Sequence, residues 1–179
     1  MGQLTPPVGD RDHVAGPPGA PLTLVEYGDF ECPHCGMAYP ILKVVQRRLG
    51  DRLRFVYRYF PLKEIHPHAR HAAEAAEAAG VQGRFWEMHA ILFENQHALT
   101  DDDLMSYANR LRLDIPRFVE HLTSGAAAQK VREDFRSGVR SGVNGTPTFF
   151  VNGERYEGVW ADQGAFIRYL ERAALAGAV

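Results

Sequence analysis

Apolar residues fall along this chain in two rhythms. Leu22-Thr23-Leu24-Val25-Glu26-Tyr27 and Leu53-Arg54-Phe55-Val56-Tyr57-Arg58-Tyr59-Phe60 are runs rich in β-formers, the second stopped by Pro61, and both predict strands. Between them Met37, Ile41, Val44, Val45 and Leu49 recur at helical spacing up to Gly50. Pro40 inside that helix removes one intrahelical hydrogen bond and predicts a kink. Strand, helix and strand in this order predict a crossover unit with a parallel strand pair.

From His66 to about Val139 the pattern is helical throughout. Ala69 to Ala79 is alanine-rich and ends at Gly80; Phe85, Met88, His89, Leu92 and Phe93 mark one face of the next helix,. Thr100 followed by three aspartates predicts a capped helix start, continued by Leu104, Tyr107, Ala108 and Leu111,. Two more helices are predicted from Asp114 and Ser124, with Phe118 and Leu122 on the first and Val131, Phe135 and Val139 on the second. Strand character returns at Thr148-Phe149-Phe150-Val151, followed by an Asn152-Gly153 turn and Arg155-Tyr156-Glu157, a hairpin signal,. A last helix from Asp162 carries Phe166, Ile167 and Leu170. Residues up to about Ala20 are crowded with Pro and Gly and predict a leader lying over the surface.

Two features break the apolar pattern with groups that carry chemistry. The only two cysteines of the 179-residue chain lie three apart in Cys32-Pro33-His34-Cys35, where a strand feeds a helix N-terminus. Unbonded amide N–H groups and the positive end of the helix dipole favour an anion there, so Cys32 should deprotonate readily and enter disulfide exchange, with Cys35 resolving the mixed disulfide. His34, between them, would further stabilise the thiolate if cationic or aimed at the sulfur; otherwise it is an exposed turn residue. Glu26 shares a strand face with Leu22 and Leu24. It is read either as a proton relay near Cys35 or as an edge carboxylate paired with a cation such as Arg58.

One cysteine pair is no structural disulfide framework. A metal knuckle would need two more ligands, for which His66, His68 and His71 are the obvious donors, though they read more simply as the polar start of a helix. The tryptophans read as core. A formal net charge of −2 gives no basic footprint for nucleic acid, and no apolar run reaches bilayer-spanning length. Nothing in the composition demands oligomerisation, and a monomer is expected. The N-terminal residues show no basic and apolar signal segment, so a cytoplasmic location is expected as written, or a periplasmic or other extracytoplasmic one if a signal has been cut away.

With Cys32-Pro33-His34-Cys35 far upstream of Gly145-Thr146-Pro147-Thr148-Phe149, the chain resembles the thioredoxin superfamily, specifically DsbA-like thiol:disulfide oxidoreductases. The Asp12-His13 leader, the Tyr27-Gly28-Asp29-Phe30 approach and Phe85-Trp86-Glu87-Met88-His89 look like the bacterial subgroup found alone or attached to sodium/proton antiporters. The resemblance implies an α/β thioredoxin-like fold, a central mixed sheet flanked by helices with an inserted all-helical subdomain. The expected division is a flexible leader over 1–12, a thioredoxin-like domain over 13–63 and 140–179, and a helical insertion over 64–139.

It also implies roles. Cys32 is the exposed nucleophile, Cys35 the buried resolving thiol, and Pro147 a cis-proline beside them. Thr146 pairs with substrate chain, Pro33 and His34 tune the couple, and Glu26 is a buried acid. The Pro-His dipeptide matches strongly oxidising members. No cofactor is implied; the partners are protein thiols or disulfides and a redox partner, either a protein or glutathione. Rival readings are a glutathione-dependent transferase or isomerase on the same fold, and a metal-binding or client-holding module.

Overall fold

Strands that are buried on both faces organise the computed structural model of the protein, which describes residues 2–177. Met1, in the expected leader, and residues 178–179, in the expected closing segment, lie outside the described residues. In chain order the first elements are β1 (His13–Ala15), β2 (Leu22–Gly28), α1 (Pro33–Leu49) and β3 (Leu53–Tyr59). Five helices follow: α2 (Ala69–Gly80), α3 (Phe85–Glu94), α4 (Asp101–Arg110), α5 (Ile115–Thr123) and α6 (Ala126–Arg140). The chain closes with β4 (Thr148–Val151), β5 (Glu154–Arg155) and α7 (Gln163–Ala176).

The sheet order is β1-β3-β2-β4-β5. β2 and β3 run parallel, as the crossover through α1 requires, while the other neighbours pair antiparallel. On one face Leu22, Leu24, Leu53 and Phe55 pack against Ala38, Leu42 and Val45 of α1 and Phe166 and Leu170 of α7. On the other, Val25, Tyr27 and Val56 meet Leu4, Phe60, Val143 and Phe150. Cover on both faces is why the central strands read as near-continuous apolar runs. The helical insertion is built around α2, whose buried alanines let α3, α5 and α6 approach closely.

Local signals act where they were expected. Thr100 and Asp103 form a reciprocal capping box at α4, and Asp114 and Asp162 cap α5 and α7,. Asn152 and Gly153 both take positive φ, 49° and 89°, as a two-residue hairpin turn demands. The hairpin's second arm is shorter than expected, Glu154–Arg155 rather than Arg155–Glu157.

Three expectations are corrected. The α1 stripe is Cys35, Ala38, Leu42, Val45 and Leu49, so Met37 faces out with 58% of its surface exposed. Helix α6 starts at Ala126 after left-handed Gly125 rather than at Ser124, and Val139 is 56% exposed. The buried stripe of α6 runs instead through Val131, Asp134, Ser137 and Gly138. An apolar pattern could not show it, because Asp134 accepts from the Tyr59 amide at 3.2 Å and Ser137 bonds Tyr27 at 2.7 Å.

The leader and the edge strand that follows it are fastened to the rest of the fold at several points. His13–Ala15 forms the edge strand against β3, and Gln3 bridges Glu154. The amide of Thr5 donates to Ser141 at 2.8 Å. The strongest fastening is Arg58, which reaches Asp12 at 2.8 and 2.9 Å and the carbonyls of Pro6 and Pro7 at 3.0 and 3.1 Å.

Candidate functional site

Cys32 is the N-cap of α1, and Pro33 takes the first helical position, where its missing N–H costs nothing. Cys32, expected as the exposed nucleophile, is instead only 4% exposed under the 146–147 loop, and Cys35, one turn on, is fully covered. Both are free thiols. The Cys32 thiol is held down at about 5. The largest cause is the Cys35 S–H donating to its sulfur; Thr146 and the backbone N–H groups of Cys35 and His34 add to it, against the cost of burial,. The same geometry pushes Cys35 well up, through burial first, then the proton it shares with Cys32 and the charges of Glu26 and Cys32.

The peptide bond between Thr146 and Pro147 is cis, and it brings the Thr146 carbonyl oxygen to 3.4 Å from Cys32 Sγ. The Thr146 hydroxyl is buried with no hydrogen-bond partner, free to turn toward the sulfur when that sulfur is a thiolate. Thus the residues from 32 to 35 and from 146 to 147, more than a hundred positions apart in sequence, meet at one point. Pro33 and His34 are exposed at its rim. His34 supports the sulfur through its amide, one of the orphan donors of the helix N-terminus,.

Glu26 lies beneath this point on β2, 1% exposed, with neither carboxylate oxygen hydrogen-bonded. Burial, then the nearby Cys32 charge, raises it to about 8, so it holds a proton at neutral pH. The pairing with a cation such as Arg58, the alternative reading of Glu26, does not form. In the parallel register Glu26 stands opposite Tyr57, and Arg58 opposite Tyr27; strand alternation sends the two charges to opposite faces.

Sequence reasoning passed over four residues that the fold brings here. Tyr57 lays its ring over Gly28, where a Cβ would touch the hydroxyl, and that hydroxyl is buried without a partner. Its pKa is driven well up by burial, then by the Glu26 and Cys35 charges, so it stays a neutral donor. Asp29 accepts from the amides of Glu31 and Leu62 and from His66 Nδ1, each at 2.8 Å. Glu31 accepts from the His68 amide at 2.6 Å. These bonds tie the strand-to-helix turn to the segment entering α2. Gln96, just past α3, donates to the carbonyls of Phe30 and Cys32, both at 2.9 Å. Acidic residues flanking Phe30 were a signal for Asp29 and Glu31; nothing in the sequence separated Tyr57 from core or Gln96 from an ordinary loop amide.

Of the three histidines weighed as metal donors, His66 is bound to Asp29 and His71 to Asp101. Among the described residues no group of three or more His, Cys, Asp or Glu side chains is clustered as a metal site would need.

The thioredoxin family profile matches residues 9–167. The chain belongs to the thioredoxin family. Among solved structures this thioredoxin-family chain is similar to a thioredoxin-like oxidoreductase from Silicibacter pomeroyi DSS-3, with a TM-score of 0.80 and 25% identity over 92% of this chain and 93% of that one. The DsbA-like fold is shared with Wolbachia pipientis alpha-DsbA1, with a TM-score of 0.80 and 17% identity over 95% of this chain and 94% of that one. In sequence it is 54% identical over 151 residues to the Na(+)/H(+) antiporter NhaA 1 of Salinispora arenicola, covering 83% of this chain but 23% of the relative. The chain therefore spans about a quarter of the length of the curated relatives it matches. Among the described residues no helix is long and apolar enough to cross a membrane.

Proposed function

We propose that the protein exchanges disulfides with cysteines of protein substrates through the Cys32–Cys35 pair. The observation that carries this reading is a thiol held at about 5 on a helix N-cap, against a neighbour held protonated. In the oxidising direction a substrate thiolate attacks Cys32 Sγ, the Cys32–Cys35 bond breaks, and Cys35 leaves with the electron pair. Glu26, which carries a proton at neutral pH, supplies the proton that Cys35 then keeps. A second substrate thiolate attacks the substrate sulfur of the mixed disulfide and releases Cys32 as a stable thiolate. The substrate loses two electrons as its disulfide forms, and the protein pair gains them.

Stabilising the Cys32 thiolate favours the reduced protein, so the disulfide form is a strong oxidant, which supports oxidation of substrates as the forward direction. Such an oxidant works where a redox partner, a protein or glutathione, returns the pair to the disulfide. Thr146 and Pro147 flank the sulfur and present main chain for strand-like pairing with substrate; His34 at the rim tunes the couple. The exchange is the activity of this domain whether or not it stands beside an antiporter section like that of its relatives.

Cys32→Ser should abolish dithiol oxidation, and Cys35→Ser should accumulate mixed disulfides visible on non-reducing gels. Undiminished oxidation by the Cys32 variant would overturn the mechanism. Titration of the pair against glutathione fixes the direction: a potential near or above the glutaredoxins supports oxidation, and one near thioredoxin supports reduction.

A further inference from the structure

Helical insertion and redox turn come from different parts of the chain, yet one amide joins them. Gln96 uses both N–H bonds of its amide nitrogen, one to Phe30 O and one to Cys32 O, each at 2.9 Å. These carbonyls bracket the turn that aims the reactive sulfur. The Cys32 carbonyl also accepts the first helical bond of α1, from the Gly36 amide at 3.1 Å. The amide oxygen of Gln96 then lies flat against Gly36: a Cβ there would collide with it. Gly36 does not have positive φ, so backbone strain does not explain a glycine inside the first turn of a helix, a residue that weakens helices. Contact with Gln96 does.

We propose that Gln96 is a positioning residue for the redox couple, and that Gly36 serves to admit it. The Cys32 thiolate is stabilised first by the Cys35 S–H, then by Thr146 and the amides of Cys35 and His34, and the convergence of donors from the first turn of α1 on one sulfur demands a fixed N-cap backbone. The Gln96 amide fixes it from outside the helix, so the insertion sets the poise of the Cys32–Cys35 couple without touching a sulfur. Because Gln96 Oε1 is the mobile end of a side chain, a methyl group at residue 36 displaces it cheaply and breaks both carbonyl bonds at once. Gly36→Ala therefore acts on the thiolate in the same way as Gln96→Ala.

This inference rests on the proposed exchange chemistry, and the test separates the two. Thiolate absorbance of the reduced protein is followed against pH for the parent, Gln96→Ala, Gly36→Ala and the double variant, alongside equilibrium with glutathione and thermal melting. A parent without an acidic Cys32 would overturn the exchange reading itself. With an acidic parent, each single variant should raise the Cys32 pKa by about half to one unit and shift the glutathione equilibrium about three- to tenfold toward the disulfide. The double variant should resemble Gln96→Ala in both readings, while melting at a higher temperature than Gln96→Ala because alanine now suits the helix. Unchanged thiolate titration in folded Gln96→Ala, or a full additional effect of Gly36→Ala in the absence of Gln96, would refute the inference. If Gln96→Ala fails to fold, Gly36→Ala alone decides: an unshifted titration refutes it.

Discussion

Glu26 and Arg58 stand one position out of register on neighbouring central strands, 1% and 2% exposed, and their surroundings are opposite. Each of the five guanidinium N–H donors of Arg58 has an acceptor, shared among Asp12, Pro6, Pro7 and Tyr27,. Asp12 is held below the usual carboxylate range: burial, the largest single influence, works against this, and the Arg58 hydrogen bonds, the Gly9 amide and the Arg58 and Lys130 charges together outweigh it. Glu26 has no hydrogen-bond partner and keeps its proton. The contrast extends to their neighbours. Tyr27 bonds Arg58 and Ser137, whereas Tyr57 bonds nothing. A polar group buried with every partner in place fastens the leader to the sheet. A polar group buried without partners is costly in the folded state, and here it lies under the redox turn, where a mobile proton is useful.

The largest expected effect comes from breaking the satisfied side. Asp12→Ala leaves a buried guanidinium short of its counter-charge and should cost about 3 kcal/mol, read from the urea midpoint, with the Cys32 titration unmoved. Replacing both partners, Asp12→Leu with Arg58→Met, should restore most of that loss, since the penalty belongs to the abandoned charge. A double variant as unstable as the single one would show that the carbonyl contacts, not the charge, hold the leader.

The orphan side is read as a slope against pH, not as a single loss at fixed pH. The carboxyl of Glu26 has its pKa raised from 4.5 to about 8 by folding, so its contribution is most favourable below the unfolded value and is lost as pH rises toward the folded one. Relative to Glu26→Gln, the parent should therefore lose up to about 1.4 kcal/mol of stability per pH unit across that window, levelling off above it. Denaturant melts of the two reduced proteins from pH 4 to 9 measure this. A stability gap independent of pH would mean that folding does not raise the Glu26 pKa, and the relay assigned to it would fail. The smallest effect separates the tyrosines: Tyr27→Phe should cost about 1 kcal/mol, and Tyr57→Phe almost nothing. Equal costs would erase the distinction between the two faces.

Much of this was legible in advance where the signal is local. Two strands, the crossover helix, the capped starts at Thr100 and Asp114 and the Asn152-Gly153 turn depend on backbone preferences of a few adjacent residues. So does the placing of Cys32 on a helix N-terminus. Helix faces were less legible. Helical spacing marks Val139 and passes over Asp134, because the stripe of α6 is chosen by hydrogen bonds to Tyr27 and Tyr59, which hydrophobicity does not encode. The fastening of the leader is illegible in sequence for a related reason. Pro and Gly forbid regular structure of its own, but they do not forbid fastening by an arginine some fifty residues away.

What the sequence determined by itself was the chemistry available: one thiol pair at a spacing that closes on itself, a carboxylate on a strand face, and a Thr-Pro segment far downstream. Tertiary structure alone decided which groups meet. It set Thr146 against the sulfur, sent Arg58 away from Glu26, left Tyr57 unpartnered and brought Gln96 to the carbonyl of Cys32. The physical reason is range: propensity and capping act over a few residues along the chain, whereas desolvation and hydrogen-bond satisfaction depend on neighbours that only the folded chain supplies.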